Sequence, residues 1–127
     1  MKTGIVVLNF NDAKETVSFV EKIKSYNILD SIVVVDNAST DDSLTELRKI
    51  QGIHLIEMSS NTGYAAGNNA GLRYLYENDF DNYIISNPDI IVEKRQLEDF
   101  IAYMNSDNNY QMFGPTIEEH GKLNRGW

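Results

Sequence analysis

"SIVVVDNASTDD", residues 31–42, joins an apolar run to a dense polar turn. Ile32 to Val35 are β-branched and lack polar alternation, which is the pattern of a strand buried on both faces of a parallel sheet. Such a strand is expected to end at Asp36, followed by Asn37, Ser39, Thr40, Asp41 and Asp42 in one turn. "GIVVLN" (4–9) has the same character and "NYIISN" (82–87) is again continuous, whereas "IHLIEM" (53–58) alternates more. These four runs are read as strands.

Helical patterns fill the intervals. In residues 12–26, Ala13, Val17, Val20 and Ile23 recur at spacings of four, three and three, with Lys14, Glu15, Glu21 and Lys24 elsewhere. Residues 41–50 carry acids in the first turn and Arg48 and Lys49 in the last, matching the helix dipole. "NNAGLRYLYEN" (68–78) and "KRQLEDFIAYMN" (94–105) supply two more helices. Strict β-α alternation predicts right-handed crossovers and an α/β fold with a mainly parallel, doubly wound sheet. Ligands bind such sheets at the carboxyl ends of strands, where the strand order reverses. "QMFGP" (111–115) reads as a fifth strand, and "TIEEHGKLNRGW" after it carries turn chemistry at His120 and Gly121.

At 127 residues the chain has material for one domain, and 42% hydrophobic content makes it a folding sequence. Its 11 basic and 19 acidic residues leave a net charge of -8, which argues against nucleic-acid binding and against a polybasic membrane anchor. Cysteine is absent, so no disulfide or thiolate metal site forms. The N-terminal apolar run is too short for a signal peptide, and no stretch approaches the ~18 apolar residues of a membrane span. These features predict a soluble, cytoplasmic protein.

Three predicted strand ends carry unusual residues: "NFN" (9–11), "DNAST" (36–40) and "NPD" (87–89). In a parallel sheet they converge. Capping of the next helix accounts for Ser39, Thr40 or Asp41. Asp36, at the last position of an apolar strand, either accepts a hydrogen bond from a ligand or forms an Asx turn. In "NTGYAAGNNAG" (61–71), Gly63, Gly67 and Gly71 with Ala65, Ala66 and Ala70 leave little bulk at a loop-to-helix junction. That suits either phosphate binding or close helix–sheet packing with Asn68 or Asn69 as cap. The spacing matches neither the dinucleotide fingerprint nor the phosphate loop. Asp89, thrown beyond the strand end by Pro88, suits either a turn or a Mg²⁺ or Mn²⁺ ion completed by substrate phosphates. His54 and His120 are too isolated for a metal site, and Tyr74 and Tyr76 are expected to pack.

In this order and spacing, "VVLNFN", "IVVVDNASTDDS", "NTGYAAGNNAGLRYL", "YIISNPDI" and "FGPTI" resemble glycosyltransferase family 2, and within it a rhamnosyltransferase-like branch. The resemblance implies a GT-A, Rossmann-like nucleotide-diphospho-sugar transferase fold. Residues 1–127 would be the N-terminal nucleotide-sugar-binding part of a single GT-A domain, truncated before its acceptor half. It implies inverting transfer of a sugar, with rhamnose a candidate, from a UDP- or dTDP-sugar to a glycan or lipid-linked acceptor in polysaccharide biosynthesis. By the same resemblance Asn9, Asn11, Asp36, Asn37, Gly67, Asn68 and Asn87 would line the nucleotide, with Asp36 accepting from a pyrimidine ring N–H. Asp89 would hold the Mg²⁺ or Mn²⁺, while Asn87 replaces the first acid of the family's Asp-x-Asp pattern and Phe10 stands where the branch often has tyrosine. No residue matches the general base, so the catalytic residue is unassigned and the isolated chain is expected to bind donor without transferring sugar. Its location would be the cytoplasm, free or peripheral to the inner face of the cell membrane. Uncovered apolar surface around Met112 and Phe113 would invite self-association.

Other classes fit less well. A receiver-like signalling domain needs an acidic pair after the first strand and a lysine after the fifth, and neither Asn9, Asn11 and Asp12 nor "FGPT" provides them. A nucleotidyltransferase would want a basic glycine-rich loop where "NFNDAKE" stands. A non-catalytic nucleotide-sugar-binding or interaction module remains the alternative to an enzyme.

Overall fold

The computed structural model describes residues 1–106, Met112, Gly114 and the backbones of 117–119 and 122–124. In chain order the elements are β1 (Thr3–Asn9), α1 (Ala13–Ser25), β2 (Ser31–Asp36), α2 (Ser43–Leu47), β3 (His54–Glu57), α3 (Tyr64–Glu77), β4 (Asn82–Ser86) and α4 (Lys94–Asn105). Two short strands, β5 (Ile117–Glu119) and β6 (Lys122–Asn124), pair antiparallel. The main sheet has the order β3-β2-β1-β4, with every pairing parallel. The chain therefore builds outward from β1 through β2 to β3, then returns to the other side of β1. That reversal places a switch point between β1 and β4.

The uninterrupted apolar runs have the expected cause. Ile5, Val7, Ile32 and Val34 face Phe19, Val20 and Ile23 of α1 and Leu47 of α2. Val6, Val33 and Val35 face the opposite side, where Leu75 of α3 packs. With both faces of β1 and β2 covered, alternation would bury polar groups and is absent. On α1 the buried stripe is Ala13, Thr16, Phe19, Val20 and Ile23, so it includes a threonine that apolar periodicity does not single out.

Four expectations need correction. Helix α3 starts at Tyr64, four residues before 68, because the Ala65-Ala66 pair is already helical and Gly63, at φ +110°, makes the entry turn. Gly67 and Asn68 thus lie inside the helix, and neither Asn68 nor Asn69 caps it. Helix α2 is confined to 43–47, since residues 37–42 are used by the polar turn. Strand β4 is covered on one face only: Ile84 packs toward α1, whereas Tyr83 and Ile85 on the α3 side are 38% and 46% exposed. Helix α3 lies over β1 and β2, where Gly71 rests on Val6 and Val35. The run 111–115 falls largely outside the described residues; Met112, which is exposed, and Gly114 are not in a strand. Phe113, His120 and Gly121 lie outside the described residues. No helix among the described residues is long and apolar enough to cross a membrane.

Candidate functional site

Parallel register sets Asn9 beside Asp36 at the carboxyl ends of β1 and β2. Both residues are completely buried. The Asp36 carboxylate accepts three hydrogen bonds: from Asn9 Nδ2 at 2.9 Å and Ser39 Oγ at 2.6 Å, both to Oδ1, and from the Ser39 backbone N–H at 3.0 Å, to Oδ2. Asp36 therefore holds the turn that follows it, with its carboxylate on the N–H three residues on and not the two of an Asx turn. Ala38 is held at φ +60° inside that turn.

Asn11 fastens the β1 loop to the β2 loop. Its Oδ1 accepts from the backbone N–H groups of Thr40 (2.8 Å) and Asp41 (3.2 Å), and its Nδ2 donates to Thr40 Oγ1 (3.1 Å). Its own backbone N–H donates to Ser39 Oγ at 2.9 Å. Ser39 and Thr40 are thus occupied by Asn11 and Asp36 and do not cap α2. Asp41 serves that end, since its Oδ1 accepts from Ser43 N–H at 2.9 Å. The Ser43 hydroxyl and backbone N–H facing it hold the Asp41 carboxyl below its ordinary value.

On the other side of β2, Asn37 reaches toward α3. Its Nδ2 donates to Asn61 Oδ1 (3.0 Å) and the Gly63 carbonyl (3.3 Å), while Asn61 Oδ1 also accepts from Gly63 N–H (3.0 Å). A Cβ on Gly67 would lie 2.5 Å from Leu8 Cδ1 and 3.3 Å from Asn37 Oδ1. The glycine therefore lets α3 come close to β1 and Asn37, as the packing reading required. Asn37 Oδ1 and both amide atoms of the neighbouring buried Asn68 have no hydrogen-bond partner. Buried amides with unmet demand are uncommon in folded proteins.

β4 completes the crevice. Val7 pairs with Ser86, after which Pro88 supplies no N–H to continue the ladder. Tyr64 at the start of α3 donates its hydroxyl to Asn87 Oδ1 at 2.8 Å, linking α3 to the β4 end across the switch point. Asp89 points the other way: with Glu15, Lys22, Pro88 and Ile91 it lines a recess of about 250 Å³ beside α1. Asp89 is exposed, and no cluster of three or more acidic, histidine or cysteine side chains capable of holding a metal exists among the described residues. A divalent ion here would be held by one carboxylate, with phosphate and water oxygens filling its shell, a pattern Mg²⁺ tolerates.

The structure thus gathers Asn9, Asn11 and Asp36 with Ser39 into one hydrogen-bonded wall, sets Asn37 on the α3 side of β2 with Gly67 against it, and places Asn87 on the α3 side of the β4 end and Asp89 on the α1 side. Ser39, Thr16, Asn61 and Tyr64 join this set without having been assigned a role there from sequence. A half-buried serine, an exposed loop asparagine, a tyrosine at a helix start and a threonine on a buried helix stripe carry no distinguishing signal. His54, isolated in sequence, stacks on Tyr74 with ring centroids 3.7 Å apart, so Tyr74 packs as expected, whereas Tyr76 is exposed.

In a parallel α/β sheet, the carboxyl ends of strands beside the switch point, where this polar wall lies, are the general place for ligands. Residues 4–127 match the family described as Glycosyl transferase family 2, and the chain belongs to that family. It is 28% identical over 115 residues to the low-salt glycan biosynthesis hexosyltransferase Agl10 of Haloferax volcanii, covering 90% of this chain and 36% of that protein. It is 26% identical over 118 residues to the dTDP-rhamnosyl transferase RfbF of Shigella flexneri, covering 92% of this chain and 39% of that one. The chain therefore spans well under half the length of these relatives. Among solved structures, the mannosyltransferase PcManGT from Pyrobaculum calidifontis, in complex with GDP-Man and Mn²⁺, superposes with a TM-score of 0.69 at 20% identity over 84% of this chain and 33% of that one. S. aureus TarS residues 1–349 give 0.65 at 20% identity over 83% and 32%. The fold is that of the GT-A glycosyltransferases.

Proposed function

We propose that this chain is the donor-binding part of a glycosyltransferase and takes a nucleoside diphosphate sugar, a UDP- or dTDP-sugar, at the carboxyl ends of β1, β2 and β4. The observation that carries this reading is the wall of Asn9, Asn11, Asp36 and Ser39, built beside the switch point of a family 2 sheet. The likeness to hexosyl and dTDP-rhamnosyl transferases supports a hexose or rhamnose as the sugar and a glycan or lipid-linked acceptor. Asn11 faces the base from the β1 loop, while Asp36 and Asn37, being enclosed, act on the donor through the turns they hold. Asn68 and Asn87 contribute amide groups on the α3 side, and Gly67 keeps α3 close enough for them to matter.

The reaction is a single displacement: an acceptor hydroxyl attacks the anomeric carbon and gives its proton to a general base, the bond to the diphosphate breaks, and the electron pair leaves with the nucleoside diphosphate. A divalent ion, when bound, would neutralise charge on the departing diphosphate. Asp89 would hold it, as the one carboxylate placed just past β4. The neighbouring Asn87, as a neutral amide, would donate to a phosphate or ribose oxygen without adding a charge that repels the diphosphate. General-base catalysis is worth about 10²–10⁴-fold and acceptor positioning more. Without assigned groups for either task, this segment is expected to bind donor and turn over negligibly.

Calorimetric titration with UDP, dTDP and GDP, each with and without Mn²⁺, tests the reading. Diphosphate binding should tighten with Mn²⁺, and Asp89→Asn should remove that gain while leaving uridine binding intact. Equal affinity in EDTA removes the metal role from Asp89. Absence of binding for every nucleotide refutes the donor site.

A further inference from the structure

We infer that Thr16 is a positioning residue of the donor site, acting through Asn9 on the turn at Asp36; the inference rests on the donor-binding reading above. Thr16 lies in the first turn of α1, is completely buried, and donates its hydroxyl to Asn9 Oδ1 at 2.6 Å. Helical threonines ordinarily turn the hydroxyl back to the carbonyl four residues earlier. Here the Asp12 carbonyl accepts the ordinary helical bond from the Thr16 N–H, while the hydroxyl is directed to β1.

The direction of every proton in this chain of bonds is determined. An ionised carboxylate only accepts, so Asn9 must present Nδ2 to Asp36. Its Oδ1 is then turned toward α1, where a donor is required, and Thr16 is that donor. From Asp36 the order continues outward: Ser39 Oγ donates to the carboxylate and accepts from Asn9 Nδ2 and from Asn11 N–H. Asn11 in turn holds the N–H groups of Thr40 and Asp41. One hydroxyl on α1 thereby supplies the donor that lets a buried amide keep the orientation Asp36 and Ser39 require, on which the loops that face the base both depend. Removing it leaves Asn9 Oδ1 buried without a donor, and Asn9 can recover one only by turning away from Asp36.

The test compares the unsubstituted protein with Thr16→Val, which keeps the shape and loses the hydroxyl, and Thr16→Ser, which keeps the hydroxyl and loses a methyl. UDP and GDP are titrated calorimetrically, and affinity is expressed per folded molecule from circular dichroism. Thr16→Val should bind UDP roughly tenfold or more weakly, the scale of one hydrogen bond, with the UDP-to-GDP affinity ratio moved toward one. Thr16→Ser should stay within about threefold of the parent in affinity and keep its ratio. Should the valine variant fail to fold, Thr16→Ala, which relieves any crowding, is held to the same outcome. A purely structural threonine would lower the folded fraction in these variants while leaving affinity per folded molecule and the ratio unchanged. That result, or equal losses in the serine and valine variants, overturns the inference and leaves the donor site standing. If the unsubstituted protein binds no nucleotide, the donor reading itself falls, and this role with it.

Discussion

Replacing Asp36 with asparagine changes one atom of a fully enclosed side chain, and the hydrogen bonds around it allow its effect to be worked out. The carboxylate accepts from Asn9 Nδ2, Ser39 Oγ and the Ser39 backbone N–H. Whichever way the new amide turns, one of its two ends becomes a donor facing a donor. At least one charge-assisted bond is lost, about 1.5–3 kcal/mol, and the remainder weaken by roughly half as their acceptor becomes neutral. Against this stands the relief of no longer burying a charge, which offsets part of the loss. A net destabilisation of about 2–4 kcal/mol follows, a large share of the ~5–15 kcal/mol by which a domain is usually stable. Urea unfolding followed by circular dichroism measures it, with an unchanged slope showing that the endpoints are the same. Donor affinity should fall as well, because the turn loosens. A loss below about 1 kcal/mol accompanied by much weaker UDP binding would mean that Asp36 touches the ligand directly and that the enclosed geometry is not the binding-competent one.

The same structure predicts opposite signs for two exchanges of glycine and alanine. Gly71→Ala would set a methyl 2.5 Å from Val6 Cγ1 and 3.2 Å from Val35 Cγ2, both on stiff buried side chains. Overpacking of about 1–3 kcal/mol outweighs the ~1 kcal/mol gain in helix propensity, so unfolding should shift to lower urea, and a stabilised variant would disprove the contact. Ala38→Gly removes a side chain from a left-handed position, φ +60°, and should stabilise by about 0.5–1 kcal/mol after the entropy of the unfolded chain is counted; a lower midpoint would contradict the turn geometry. Asp41, with its carboxyl held below the ordinary 3.8, binds fewer protons folded than unfolded. Its contribution is therefore present above that value and lost as pH falls through the lower folded one; Asp41→Asn should flatten stability against pH in this acid window, and an unaltered pH profile would contradict it.

How much of this could be read from the chain depends on what each residue touches. β1 and β2 are legible because burial on two faces leaves an uninterrupted β-branched run, and Asn9 and Asp36 stand out as polar residues that end such runs. β4 looks the same in sequence, yet Tyr83 and Ile85 are half-exposed, because coverage of a strand is decided by where a distant helix lies. The start of α3 was hidden by glycines, which suit a loop as well as a helix pressed against a sheet. Only the 2.5 Å approaches to Leu8 and Val6 distinguish the two. Thr16 was hidden for the opposite reason: it sits on the buried stripe of α1, where a single threonine is ordinary, and only its partner reveals its use. The cap of α2 is legible only as a choice among Ser39, Thr40 and Asp41, because the same side-chain oxygens serve caps and loop-to-loop contacts alike; Asp41 takes that role.

The two sides of the crevice are built differently, and the register of the sheet explains it. Asn9 and Asp36 are paired neighbours, so the loops leaving β1 and β2 start at the same level and can share hydrogen bonds through Ser39 and Asn11. β4 leaves the sheet earlier: Ser86 pairs with Val7, and Pro88 ends the ladder before the level of Asn9. Its loop is tied to the helices on the two faces instead, to α3 by the exposed Tyr64–Asn87 contact and to α1 by the Tyr26 hydroxyl on the Val92 carbonyl. A ligand with a rigid base and a flexible diphosphate suits that asymmetry. In the donor-binding reading proposed above, the wall on β1 and β2 would meet the base and ribose, while Asn87, tied to Tyr64, and Asp89, on the α1 side of the turn, would meet the phosphates and their counter-ion.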